Sequence, residues 1–122
     1  MKPLPPNSSW LNDWTSNVPN NQLYDFANEL IEIFQKFWEK LEISAKSKTT
    51  QYRYSSGLHA LGGHLIDIAA HEESTISTTK KFVLDNISKV GGPLIFHDEL
   101  VWQNELDVMC KKLFKYLEQN TV

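Results

Sequence analysis

Two groups of residues near the middle of the chain have types and spacing that could do chemistry. The first is basic and hydroxylic: Lys46, Lys48, Thr50 and Arg53 fall within one short segment. Cations and hydroxyl groups at the start of a helix suit phosphate binding, because the helix dipole favours negative charge there. This group predicts a contact with nucleic-acid phosphates. The alternative is a solvated loop whose lysines pair with the acidic helix that precedes it.

The second group is a set of metal-binding residue types on one predicted helix face. His64, Asp67 and His71 stand at positions i, i+3 and i+7, which gives two imidazoles and a carboxylate, a set suited to Zn or Fe. A metal with an open position could activate water for hydrolysis. The two histidines are about 10 Å apart along the axis, two turns rather than one. We therefore assign no metal and no cofactor, and an ordinary polar face remains the alternative.

Three glycines interrupt the helical pattern between these groups. Gly57, Gly62 and Gly63 each cost a helix about 1 kcal/mol relative to alanine, so a compensating gain is expected. Ser55, Gly62 and Ala69 recur every seven residues and form a seam of small side chains. We expect this seam to admit the aromatic-rich first long helix at close range.

The elements that must position these residues are helical. A first long helix is predicted over 21–43, and a second from Ser47, which can cap it, to about residue 70. A third is expected over 78–90, ended by the glycines and proline at 91–93, and a last one from a cap near Asp98. A short turn carrying Trp10 and Trp14 should dock on the domain.

No long segment alternates apolar and polar residues as a strand would. The predicted class is therefore all-α, a compact bundle of about four helices. Three prolines among the first nine residues predict an extended N-terminal arm. At 122 residues and 41% hydrophobic, the chain suits a single helical domain over 1–122. Residues 1–19 would be the arm and short turn, and 20–120 the helical core.

Charge is distributed unevenly along the chain. The formal net charge is -3, yet residues 44–66 carry three basic and no acidic residues. The remainder, with 9 basic and 15 acidic residues, has a net charge of -6. Any attraction to nucleic acid must therefore come from a local patch.

Few features of the sequence indicate the cellular compartment of the protein. Cys110 is the single cysteine, which excludes an internal disulfide and is compatible with a reducing compartment. The first ten residues contain no apolar run typical of a signal peptide, and no stretch of about 18 apolar residues occurs. We expect a cytoplasmic protein that does not engage a membrane.

One resemblance attaches to residues 34–66. "FQKFWEKL" and "KTTQYRYSSGLHALGGHLI" resemble the SAM-like core-binding domain of tyrosine recombinases and integrases, with matching positions at Thr50, Tyr54, Leu58, Leu61 and Leu65. The resemblance implies phosphate contacts by Lys48, Thr50 and Arg53. It does not imply strand cleavage, because glycines replace bulky residues at 62 and 63 and the C-terminal half has no Arg. "RYSSGLHALGGHLI" also resembles small uncharacterised bacterial proteins near mobile elements, which implies no known activity.

The sequence thus predicts a non-enzymatic accessory or interaction module that contacts nucleic acid through the basic helix start. The alternative is a protein-binding module or homodimer that uses exposed Trp10, Trp14 and Trp102 together with the acidic first helix. A metal-dependent hydrolase is the third interpretation.

Overall fold

Five α-helices dominate the computed structural model, which describes residues 5–15, 22–71 and 78–119, with Gln22 and His71 described by backbone alone. They are α1 (Ser9–Thr15), α2 (Gln22–Lys40), α3 (Lys48–His71), α4 (Thr79–Asn86) and α5 (Leu100–Gln119). A 3-10 turn at Ile43–Ala45 joins α2 to α3. These residues contain no strand, so the all-α class is confirmed. The predicted short turn near the N-terminus is a helix, α1.

The core lies where α3 meets α1, α2 and α5. Its fully buried side chains come from every helix except α1, and the largest include Phe34, Phe37, Leu58, Leu61, Leu65, Val83, Leu106 and Leu113. These positions recur at three- and four-residue steps, which puts them on one face of each helix. None of the helices in the described ranges is long and apolar enough to cross a bilayer.

The ends of α2 and α3 are set by local backbone chemistry. Glu42 adopts a left-handed conformation with φ 52°, and α2 ends at Lys40, three residues before the predicted boundary. The Ser47 side chain accepts a hydrogen bond from the amide of Thr50 at 3.2 Å. This bond satisfies one of the unpaired amides of a helix start, and the predicted Ser47 cap is confirmed.

Gly62, the glycine of the predicted seam, faces α1 rather than the predicted partner, α2, and Gly57, which lies outside the seam, faces α5. A Cβ at Gly62 would lie 2.5 Å from Cη2 and 2.7 Å from Cε2 of the Trp14 ring. A Cβ at Gly57 would lie 3.2 Å from the terminal methyl of Met109 on α5. The bulk of two side chains from other helices therefore occupies the space that the glycines leave.

Helix α1 is docked by its tryptophans. Trp10 and Trp14 are buried, and the indole Nε1 of Trp14 donates to the carbonyl oxygen of His59 at 3.0 Å. The predicted docking is confirmed, whereas the prediction that these two rings form an exposed binding surface is wrong. Part of the predicted arm, residues 1–4, lies outside the described residues. Pro6 within it is buried, and its carbonyl accepts from Nε2 of Gln35 on α2 at 3.1 Å.

Both C-terminal helices differ from their predicted limits. The Thr78 side chain caps α4 by accepting from the amide of Lys81 at 3.1 Å, but α4 ends at Asn86 rather than near residue 90. A tight turn follows, in which Ser88 and Gly91 exchange backbone hydrogen bonds of 2.8 and 3.2 Å. Helix α5 begins at Leu100, two residues after the predicted cap.

Candidate interaction surface

The predicted phosphate-binding group lies at the start of α3. Ser47 Oγ donates to Thr50 Oγ1 at 3.0 Å, and Gln51 Nε2 donates to the carbonyl oxygens of Ser44 at 3.2 Å and Lys46 at 2.8 Å. The side chains of Ser47 and Gln51 are therefore already hydrogen-bonded to polar groups around the helix start. The structure brings Lys46, Lys48 and Thr50 together there, and it leaves both lysines exposed.

Arg53, the third cation of the predicted group, forms an ion pair with a residue of α5. Its Nε lies 3.0 Å from Oε1 of Glu105 on α5, and its side chain is 56% exposed. An exposed pair of this kind contributes little stability, between 0 and about 1 kcal/mol. It does neutralise the cation, so an incoming phosphate would compete with Glu105 for Arg53.

The predicted metal face lies along the C-terminal half of α3. His64 is half-buried and Asp67 is exposed, while His71 is the last residue of the helix and its side chain lies outside the described residues. Among the side chains that are described, no three of His, Cys, Asp or Glu are grouped so that they could hold a metal ion.

A histidine that the sequence did not single out lies at the α1–α3 contact. The imidazole Nε2 of His59 is 3.0 Å from Oδ2 of Asp13, and its ring packs edge-on against Trp10 with centroids 5.1 Å apart. These contacts attach α1 to α3. No spacing rule connects Asp13 to His59, which are 46 residues apart, so only the tertiary structure reveals the pair.

Cys110 belongs to the core and lies on the buried side of α5. The side chain is fully buried. Burial, and secondarily the nearby Asp107 carboxylate, raises the pKa of the thiol to about 12. A thiol with that pKa is almost entirely protonated at neutral pH and is a poor nucleophile.

A buried glutamine fixes the segment that precedes α5. Oε1 of Gln103 accepts from the amides of Ile95 at 3.1 Å and Phe96 at 3.0 Å, and its Nε2 donates to the carbonyl oxygen of Pro93 at 3.0 Å. Nε2 also donates to Oδ1 of Asp107 at 3.1 Å, and that same oxygen accepts from the Gly92 amide at 3.0 Å. We call these contacts the Gln103 clamp. They hold residues 92–96 against the first half of α5 without regular secondary structure.

Exposed apolar side chains are concentrated in and around the clamped segment. Eight large hydrophobic side chains are exposed in the described part of the chain, and six of them lie between residues 90 and 108. We give these six residues, which lie before and within α5 and on more than one side of the helix, the name α5 apolar face: Val90, Leu94, Leu100, Val101, Trp102 and Val108. Trp102 is 55% exposed and packs edge-on against the half-buried Phe96, with ring centroids 5.7 Å apart. Of the three tryptophans predicted to be exposed, this one is confirmed.

The sequence did not identify the α5 apolar face as a group. Leu100, Val101 and Trp102 are consecutive, and a run of apolar residues at a helix start suits burial as well as exposure.

Comparison of the chain with protein-family models, curated proteins and solved structures found no match. The resemblance to integrase core-binding domains over residues 34–66 therefore stays a prediction. The same holds for the phosphate contacts that it implies.

Proposed function

We propose that this chain is a non-enzymatic interaction module that binds another protein molecule through the α5 apolar face. The observation that carries the proposal is the concentration of exposed large hydrophobic side chains at residues 90–108, six of the eight in the described residues. Scattered exposed apolar residues are normal on protein surfaces, whereas a grouped set is typical of an interaction site.

The fixed shape of this region supports the same proposal. Residues 92–96 are held by side-chain hydrogen bonds from Gln103 and Asp107, so the exposed Leu94 is presented by an ordered segment. Order before binding lowers the entropy that association must overcome. Trp102 lies beside that segment, and tryptophan is among the residues that most often contribute the largest share of binding energy.

Photo-crosslinking in cells tests the proposal. A photo-crosslinking amino acid at Leu100 lies on the α5 apolar face, and the same group at Tyr24, an exposed aromatic on α2, is the matched control. We expect covalent adducts with a protein, a second copy of the chain included, from position 100 and not from position 24. Val108→Glu should reduce the yield by adding a charge to the face. Equal yields from the two positions would refute the proposal.

Contact with nucleic-acid phosphates is the second candidate function. It is favoured by the exposed Lys46 and Lys48 at the start of α3 and by the lack of an acidic residue in the first turn of that helix. Thr50 and Arg53 complete the proposed set. An association with mobile elements and a cytoplasmic location would accompany this second candidate function, and both stay predictions.

The salt dependence of binding tests this second candidate. Each neutralised phosphate of duplex DNA contributes about -0.9 to the log-log salt slope, so two lysines predict a slope of about -2. Glu105→Gln frees Arg53 and should steepen the slope to about -3. Replacing Lys46 and Lys48 by Gln should abolish binding, while the same change at Lys36 and Lys40 on α2 should not. Unaltered binding after replacement of Lys46 and Lys48 would exclude this site.

A further inference from the structure

One side of α5 is exposed in the described part of the structure, and at its edge Lys112 places Nζ over the Tyr54 ring of α3, 5.8 Å from the ring centroid. The exposed positions on this side of α5 are Val101, Asn104, Val108, Lys111, Lys112 and Lys115, which we call the outer stripe. The opposite side is buried and carries Gln103, Leu106, Met109, Cys110, Leu113 and Leu117. Since a helix has about 3.6 residues per turn, residues 101, 108, 112 and 115 fall along a single line. The outer stripe is therefore a continuous surface along α5 from Val101 to Lys115.

Charge along this surface changes sign from one end to the other. Asp98 and Glu99 are exposed just before α5 begins, and the three lysines of the outer stripe occupy its second half, where Glu118 near the end of the helix is also exposed and leaves that half with a positive excess. The two valines lie between these ends. A parallel copy of the helix would bring like charges together, whereas an antiparallel copy brings the acidic end of each onto the basic end of the other.

The spacing fits one symmetry axis. Glu99 and Lys111 are equidistant from residue 105, as are Asp98 and Lys112, and the midpoint of Val101 and Val108 lies between residues 104 and 105. In a two-fold interface, residue i contacts residue j and j contacts i, so a single axis at this point satisfies the charged and the apolar pairs together. The outer stripe is self-complementary in that orientation.

The residues at the axis are compatible with their own copies. Asn104 is exposed there, and an amide side chain has both a donor and an acceptor, so two of them can pair across a two-fold axis. Glu105 would meet its own copy, which alone would repel. Arg53 lies beside its carboxylate, with Nε 3.0 Å from Oε1. This cation offsets part of the repulsion between the two carboxylates at the centre of the surface.

We propose that α5 pairs antiparallel with α5 of a second copy, about a two-fold axis close to Asn104 and Glu105. This inference rests on the proposed function and names its partner, because Val101 and Val108 belong to the α5 apolar face. A helix of 20 residues is about 30 Å long and 10 Å wide, smaller than the patch of a standard interface. The dimer is accordingly weak, and the charged ends make it sensitive to salt.

Sedimentation velocity over a concentration series tests the dimer. We expect the chain to shift from monomer toward dimer at concentrations on the order of 10–100 µM, and added salt to weaken the shift. Lys111→Glu with Lys112→Glu, and separately Asp98→Lys with Glu99→Lys, should each abolish the dimer. An equimolar mixture of these two variants should form it again. The same charge change at Lys36 and Lys40 on α2 is the control and should leave the dimer intact.

Cysteine pairs test the antiparallel orientation. Val101→Cys and Val108→Cys proteins should each cross-link poorly alone and form a disulfide with each other when mixed, because antiparallel helices bring residue 101 to residue 108. Disulfides from the separate proteins would indicate parallel helices and would overturn the proposal. Circular dichroism of each variant confirms that it is folded.

The failure of this inference can be told apart from failure of the proposed function. A chain that stays monomeric, yet is trapped on a different protein from position 100, overturns the dimer and retains the interaction module. A dimer that survives both charge reversals also overturns the inference. A monomeric chain with no adduct above the Tyr24 control overturns both.

Discussion

Gly62→Ala should destabilise this protein, although alanine is the better helix former. The added Cβ would lie 2.5 Å from Cη2 and 2.7 Å from Cε2 of the buried Trp14 indole. Ordinary van der Waals contact begins at about 3.5 Å, so the ring or the helix that carries it must move by roughly 1 Å. The ring cannot simply rotate away, because its Nε1 is bonded to the carbonyl oxygen of His59 and it packs edge-on against Trp10 and Phe34.

The magnitude follows from two opposing terms. Replacing glycine by alanine within a helix gains about 1 kcal/mol. Overpacking a core costs about 1–3 kcal/mol, and complete undocking of a tryptophan costs up to about 5 kcal/mol. Subtracting the gain from these costs leaves a net loss between about 0 kcal/mol, if the neighbours relax fully, and about 4 kcal/mol, if Trp14 undocks. Because the ring is held by its hydrogen bond to His59, we expect a loss of about 1–3 kcal/mol in the free energy of unfolding. Urea denaturation followed by tryptophan fluorescence measures it.

Gly63→Ala is the matched control. A Cβ there would lie 3.5 Å from Cδ1 of Trp14, which is ordinary contact, so the helix propensity should prevail and stability should rise by up to about 1 kcal/mol. In a Trp14→Ala background, Gly62→Ala should also become stabilising because the clash is gone. If Gly62→Ala is neutral or stabilising with Trp14 present, the close approach of α1 to α3 is wrong.

Three further predictions concern other residues. Burial raises the pKa of Cys110 to about 12 and raises the pKa of Tyr116 as well, so at high pH the folded state retains protons that the unfolded state loses. The contribution of these groups to stability should therefore be complete below pH 9. It should fall by up to about 1.4 kcal/mol per pH unit as the pH rises toward 12. Denaturation curves from pH 7 to 11 measure this, and a flat profile would contradict it. Glu42→Gly should raise stability by up to about 1 kcal/mol in thermal denaturation, because the left-handed backbone at φ 52° strains any residue with a Cβ, while Glu39→Gly within α2 should lower it. Elemental analysis of the purified protein should find no stoichiometric Zn, Fe or Mn, and one metal per chain that is lost on His64→Ala would support the hydrolase instead.

The long helices could be predicted because their signals are local. Ser47 caps α3 as its type and position indicated, and the core positions of α2 and α3 follow the helical period. The ends of α4 and α5 could not be placed as well. They depend on the turn between Ser88 and Gly91 and on bonds from Gln103 to residues seven to ten positions earlier. A polar residue on an apolar stripe gives no indication of which backbone groups it will meet.

The helix that packs against the glycines of α3 could not be predicted from the sequence, because that choice also depends on contacts between distant residues. The small residues indicated a close approach to α3, and the structure bears out such an approach at Gly57 and Gly62. Either helix with aromatic residues could supply the bulky side chain. The choice of Trp14 depends on where α1 docks, and that is fixed by contacts across 45 or more residues, namely the bonds of His59 to Trp14 and to Asp13.

Arg53 links the two candidate functions and sets them against each other. Its guanidinium is 3.0 Å from the Glu105 carboxylate, which lies at the proposed dimer axis. A phosphate that recruits Arg53 would leave Glu105 charged, and two such carboxylates would then face each other across the axis. Repulsion between them would weaken the dimer, and by reciprocity the dimer would weaken phosphate binding by the same factor. If both proposals hold, nucleic acid therefore favours the monomer.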